Sequence, residues 1–436
     1  MKKLVLLFFA LPCFCISQHT ISGTFAPKEQ YSKVFLYKIQ PDAEDYVTYI
    51  SYTGLDDKGK IGFSLDEEME PGMYQLVFGI PRIANHFDFI YDGNEDISFS
   101  FKEKEGVTFL SSEENMLLQE YDTRFNEAKQ LLTSVFAPDV SKETFINVFN
   151  AIEAVQTTYE AKSEDMLANH FIKTGRIPIP EKKISQKEYN ALEKEEFFKN
   201  VDFNDLVLKE SFYLVNIPIS YIFKFSSKND TQSYMHNIDN AMTAIGDNPY
   251  VKKRVLTSVW NNAVADKDME VANYISNNYL EEMSKEQGDI KLLDEIATYK
   301  RAGVGAIAPD FNLDDGRKLS DLNNAKHYLL IFWSSTCSHC LKEIPEVKKF
   351  LANKDKHTLQ VVAFGLENDE HPWKDTIKMY PDFIQVYGAG KWDNATAKEY
   401  NITATPTYFV LDADKKIVAK PDSLEDLEKT INTIAK

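Results

Sequence analysis

Two cysteines spaced C-x-x-C, Cys337 and Cys340, carry the clearest chemistry in this chain of 436 residues. They stand in Ile331-Phe-Trp-Ser-Ser-Thr-Cys-Ser-His-Cys-Leu-Lys-Glu-Ile-Pro-Glu346. An apolar run at 328–333 leads into a small polar turn, and a helix-forming segment follows. That strand–CxxC–helix order suits thiol–disulfide exchange. A cysteine at a helix N-terminus meets unpaired backbone N–H groups and the positive end of the helix dipole, which favour the thiolate. The thiolate is the attacking species in exchange. Cys340, one turn later and shielded beneath the first cysteine, would then resolve the mixed disulfide.

Other chemistries fit the pair less well. A metal site would need two more ligands from His327, His339, His357 or His371, none of them at tight paired spacing. A peroxidatic cysteine would have a proline seven residues upstream, where Leu330 precedes Cys337 and Trp333 precedes Cys340. A structural disulfide closing so small a loop contributes little chain-entropy stabilisation.

The rest of the chain says where such a pair works. Lys2 and Lys3 followed by apolar 4–11, the break at Pro12 and small residues at Cys15 and Ser17 read as a secretory signal, 1–17, cleaved before Gln18. Its apolar run is too short to span a bilayer. Lipid anchoring on Cys13 or Cys15 is disfavoured, because Pro12 and Phe14 stand where a small residue is wanted. Of four cysteines, only Cys337 and Cys340 then remain in the mature chain. A formal net charge of −18 argues against nucleic acid and anionic membrane surfaces and serves solubility. With 43% hydrophobic residues the chain is globular, and its length suggests roughly two to four domains.

Residues 18–110 read as a small all-β, sandwich-like domain. Segments at 19–25, 33–39, 46–52, 61–65, 72–78, 87–91 and 96–101 are rich in β-branched and aromatic residues, with Gly, Pro and Asp turns between them. An antiparallel sandwich is expected, and its His86 reads as structural. From Ser111-Ser-Glu-Glu114, a capping-box pattern, helical periodicity continues through a middle domain, 111–300. Helices are expected at 115–136, from Ser141 to Gly175, and at about 185–200, 204–225, 232–245, 249–265, 267–283 and 288–300. The last domain, 301–436, alternates strands and helices and ends in a hairpin and a helix, which makes a compact α/β sheet.

Within that last domain, Ala308-Pro-Asp-Phe-Asn-Leu313, Gly316, Leu319, Phe332-Trp333, Cys337-Ser-His-Cys340, Glu343-x-Pro345 and Asn401-Ile-Thr-Ala-Thr-Pro406-Thr together resemble the TlpA/ResA-like branch of the thioredoxin family. The resemblance covers about 302–436. The layout of the whole chain, signal then β domain, helical middle and redox module, resembles the envelope thioredoxin-like proteins of Bacteroidetes. It implies a multidomain protein with a C-terminal α/β thioredoxin fold. It also implies a cis Thr405–Pro406 bond whose flanking backbone holds an extended client segment, and a Trp333 that packs over the site. General thioredoxins have a buried aspartate six residues before the first cysteine, and here that position is Ile331. The proton-transfer role passes by resemblance to Glu343, whose other reading is an exposed helix carboxylate. His339 inside the motif could stabilise the Cys337 thiolate and make the dithiol a poorer reductant. Lys415 stands where the last hairpin often has glycine.

Two classes of function follow. One is an exported, periplasmic thiol–disulfide oxidoreductase acting on cysteine-containing client proteins. No flavin or nicotinamide fingerprint is present and no cofactor is implied, so a membrane-bound thiol–disulfide donor would keep it reduced, and reductase or isomerase work is favoured over oxidation. The other is an envelope binding or scaffolding protein, homodimeric or partnered, with an accessory redox module. Whether an isolated 302–436 fragment keeps full activity separates them.

Overall fold

The computed structural model describes residues 19–40, 46–66, 69–227, 230–352 and 354–434; the signal reading at 1–17 lies outside them. The chain divides into two compact units, Met1–Ser226 with His236–Lys252 and Ser227–Met235 with Lys253–Lys436. The division falls inside the helices Thr231–Ile245 and Pro249–Ala265. Among the described residues no helix is long and apolar enough to cross a membrane.

In the first unit the β-rich region forms eight strands: β1 Thr20–Ala26, β2 Lys33–Ile39, β3 Val47–Gly54, β4 Lys60–Ser64, β5 Gly72–Val77, β6 His86–Tyr91, β7 Ile97–Lys102 and β8 Gly106–Ser111. They make two four-stranded sheets, ordered β4-β1-β7-β8 and β3-β2-β5-β6. Alternating side chains of both sheets share one core, with Ile21, Phe25, Phe99 and Phe101 from the first and Leu36, Leu76, Phe87 and Phe89 from the second. One pairing departs from the antiparallel expectation, because β1 and β7 run parallel. A hairpin forces antiparallel neighbours, but here the chain lays down strands of both sheets before it returns, so either direction is open.

The helix expected after these strands starts one residue late. Ser111 stays in β8, its hydroxyl on the Asp96 carbonyl at 3.1 Å. Ser112 is the N-cap of helix Glu113–Gln130 and accepts from Asn115 N. Glu95, from a separate turn, supplies the capping carboxylate by accepting from Glu113 N at 2.6 Å. Glu114, now in the second helical position, cannot reach back. Its buried carboxylate instead accepts from Leu167 N at 2.9 Å and Ala168 N at 2.7 Å, closing the start of helix Ala168–Thr174. Burial nevertheless pushes the Glu114 carboxyl above its ordinary range, and the two amides pull only partly back. The long run expected at 115–136 breaks at Leu131, and the one opened by Ser141 stops at Lys162 before restarting at Ala168.

In the second unit, helices lead through Ile290–Ala302 to a five-stranded sheet of β9 His327–Trp333, β10 Leu359–Glu367, β11 Ile384–Ala389, β12 Thr407–Asp412 and β13 Ile417–Ala419. Its order is β11-β10-β9-β12-β13. Strands β11, β10 and β9 run parallel, β12 runs antiparallel to β9, and β13 antiparallel to β12. Both faces are covered. One carries Phe311, Leu319, Phe332, Phe364 and Tyr400. On the other, helix Ser338–Leu351 lays Cys340, Ile344 and Val347, at helical spacing, against Leu329, Ile331 and Trp333 of β9. Lys415 occupies the glycine-like position of the last turn, with φ 65°. Its buried ammonium donates to the carbonyls of Leu322 and Ala413, both at 2.7 Å.

Candidate active site

The central strand β9 ends at Trp333 beside Gly365 of β10, and Thr407 of β12 lies opposite Phe332. Three chain segments therefore meet at one edge of the sheet: the turn after β9, the end of β10 and the approach to β12. At a parallel sheet's carboxyl edge the strand ends leave a crevice for ligands.

The turn is held before the helix begins. Glu367, closing β10 and 1% exposed, accepts from the Ser335 amide and from Ser334 Oγ at 3.2 Å. Ser334 Oγ also lies 3.0 Å from Thr336 Oγ1, which accepts from Lys391 Nζ at 3.2 Å. The Ser334 carbonyl takes the Cys337 amide at 3.1 Å. This frame sets Cys337 as the N-cap of helix Ser338–Leu351, in extended conformation. Its sulfur accepts from Cys340 N at 3.4 Å, and its thiol donates to the Thr405 carbonyl at 3.5 Å. The Thr405–Pro406 peptide is cis, as the resemblance implies.

Both thiols are free; Cys337 is half-buried and Cys340 buried. Partial burial opposes ionisation of Cys337, but the Cys340 amide and the neighbouring donors outweigh it, and its thiol sits below the ordinary value. Burial dominates at Cys340, whose thiol is pushed up to about 12. One sulfur is thus prepared to attack and the other to keep its proton.

Glu343, one turn past Cys340, is withdrawn from solvent, its side chain 14% exposed. The Tyr408 hydroxyl donates to Oε1 at 2.7 Å, and His339 Nε2 approaches Oε2 at 2.8 Å. Burial and the Glu343 carboxylate both push the Tyr408 phenol above its ordinary value. An i,i+4 pair with one exposed partner is worth about 0.3–0.5 kcal/mol, whereas a sheltered hydrogen bond to a charged group is worth about 1.5–3 kcal/mol. The Tyr408 hydrogen bond is therefore the stronger of the carboxylate's two contacts.

The structure brings Cys337, Cys340, Thr405 and Pro406 together, with Glu343 three residues past Cys340 on the same helix. It places one residue differently from expectation. The His339 ring turns to Glu343, and His339 reaches Cys337 only through its backbone N–H, because the helix puts residues 339 and 343 on one face. Trp333 packs in one core with Cys340, against which Cys337 also packs. It is 1% exposed there, since its strand directs it under the covering helix. Sequence reasoning missed Glu367 and Tyr408. A carboxylate ending an otherwise apolar strand was a visible signal for Glu367, whereas Tyr408 becomes meaningful only once β9 and β12 are in register.

Comparison with known proteins gives the family of the redox domain. A family model described as thioredoxin-like matches residues 324–417. The chain is similar to the thiol-disulfide oxidoreductase ResA of Bacillus cereus, 29% identical over 130 residues, 29% of this chain and 73% of the relative. It is also similar to the thioredoxin-like protein YneN of Bacillus subtilis, 34% identical over 126 residues, 26% of this chain and 69% of the relative. Among solved structures, a thiol-disulfide oxidoreductase from Bacteroides fragilis matches at 26% identity, with 29% of this chain and 96% of that one covered and a TM-score of 0.26. The chain belongs to the thioredoxin-like thiol-disulfide oxidoreductases of the ResA/TlpA type. The family-model match falls in its last third.

Proposed function

We propose that the chain is an exported enzyme that exchanges disulfides with the cysteines of client proteins through Cys337 and Cys340, as a reductase or isomerase rather than an oxidase. The observation that carries this reading is the asymmetry of the pair, a capped and accessible Cys337 above a buried Cys340 whose thiol is pushed up to about 12. Cys337 attacks the client disulfide, with the Thr405 carbonyl and Pro406 beside it as the contact for an extended client segment. Cys340 gives up its proton, with Glu343 as the acceptor, and displaces the client. One observation supports the reducing direction: the His339 ring is engaged with Glu343, so only its backbone N–H is directed at Cys337. The signal read at 1–17 supports a periplasmic location, where a membrane-bound thiol–disulfide partner supplies electrons. The regions ahead of the redox domain, 18–110 and 111–300, serve client choice.

Equilibrating the Cys337/Cys340 pair against a glutathione redox series tests the direction. A potential near that of thioredoxin, roughly −270 mV, supports a reductant, and one near roughly −120 mV overturns it in favour of an oxidant.

A further inference from the structure

Cys340 must lose a proton to act, and the core around it has almost nothing to take one. The three strands beneath it contribute Leu329, Ile331, Trp333, Val361, Tyr408 and Val410. Only Tyr408 among these brings a side-chain oxygen. In the antiparallel pairing of β9 with β12, Tyr408 lies directly opposite Ile331. Its ring is 2% exposed, and its hydroxyl is committed to Glu343 Oε1 at 2.7 Å. The other carboxylate oxygen faces His339, whose side chain is 69% exposed. Freed from the phenol, this flexible carboxylate would follow His339 outward into water.

We propose that Tyr408 is a positioning residue for the resolving step: it holds Glu343 on the inner, Cys340 side of the helix, while His339 marks the side open to solvent. The proposal rests on the exchange reading above. In the step, the Cys340 thiol gives its proton to Glu343, and its sulfur electron pair forms a bond to Cys337 Sγ. The Cys337–client S–S bond breaks, and the client sulfur leaves as a thiolate with the bonding pair. The client disulfide is reduced by two electrons, the Cys337–Cys340 pair is oxidised to a disulfide, and Glu343 returns its proton to water along the His339 side.

The test uses the reduced full chain and an aromatic disulfide reagent whose two halves each leave as a coloured thiolate. The first release reports attack by Cys337, and the second reports resolution by Cys340. Tyr408→Phe, which removes one oxygen from a filled core, is expected to slow the second release about tenfold while leaving the first release unchanged and lowering the melting temperature by no more than the lost hydrogen bond accounts for. Glu343→Gln should slow the second release at least as much, and the double variant should be no slower than Glu343→Gln alone. Three results would overturn the proposal: a second release within about twofold of wild type in Tyr408→Phe, effects that multiply in the double variant, or slowing of both releases together with a lowered melting temperature. A wild-type chain that gives no second release overturns the exchange reading itself, and the proposal with it.

Discussion

Glu114 in the first compact unit and Glu343 in the second are both carboxylates withdrawn from water early in a helix, and they are held by different kinds of partner. Glu114 accepts from two backbone amides, Leu167 N and Ala168 N. Glu343 accepts from a phenol and faces an imidazole, with a buried thiol one turn away. Backbone amides never titrate, so the first arrangement fixes a helix end and does nothing else. The partners of Glu343 are side chains able to exchange protons, so on the proposed exchange reading the same functional group joins a reaction path. On that reading, what distinguishes a working carboxylate from a structural one in this molecule is the chemistry of its donors, not its burial.

Substitutions can break that contrast, and the largest effect belongs to the sulfurs that Glu343 serves. Cys337→Ser should abolish reduction of an insulin-type protein disulfide, and Cys340→Ser should accumulate mixed disulfides visible on non-reducing gels; a Cys337→Ser chain that reduces at the wild-type rate would end the exchange reading. Glu114→Ala should cost about 2–3 kcal/mol in denaturant unfolding by orphaning two buried amides, yet leave the rate of disulfide reduction unchanged. A matching loss of activity would show that the two carboxylates are not separable. Glu367→Ala should sit between these extremes, lowering both stability and activity, because it frees the Ser335 amide in the turn that sets Cys337.

Two pH responses sharpen the comparison with smaller effects. Alkylation of Cys337 should reach half its maximum rate at a pH below that of an ordinary cysteine, while Cys340 stays unreactive until far more alkaline conditions. Glu114 has a folded-state pKa raised above its unfolded value, chiefly by burial. Its contribution is therefore fully present below the unfolded carboxylate value and is lost as pH rises through the raised folded one. The unfolding free energy of the wild type relative to that of Glu114→Gln, followed over that window, should fall as pH rises.

Much of the second unit was legible because its signals are local. Cys337, Cys340 and Thr405-Pro406 each sit in a short motif, and the alternation of apolar strands with helices specifies the sheet's elements one by one. The first unit's strands were legible for the same reason, apart from β8, Gly106-Val-Thr-Phe-Leu-Ser111, which turns only Val107 and Phe109 to the core. Contacts set by register or by distant turns were hidden. Tyr408 reaches Glu343 across 65 residues, Glu95 caps a helix that begins 18 residues on, and Glu114 closes a helix 54 residues away. A one-residue shift of a helix start was enough to send Glu114 to a different partner.

The parallel pairing of β1 with β7 bears on how the chain folds as it is made. Thr20 at the start of β1 is hydrogen-bonded to Asp96, 76 residues further along. At roughly 5–20 residues per second of synthesis, β1 waits several seconds for its second neighbour, with only β4 available to cover one edge in the meantime. Until β7 arrives, the other edge of β1 is an unpaired strand bearing Ile21 and Phe25, the kind of edge on which a growing chain sticks to others. The first β-sheet thus leaves one edge of β1 open until the residues of β7 have been made.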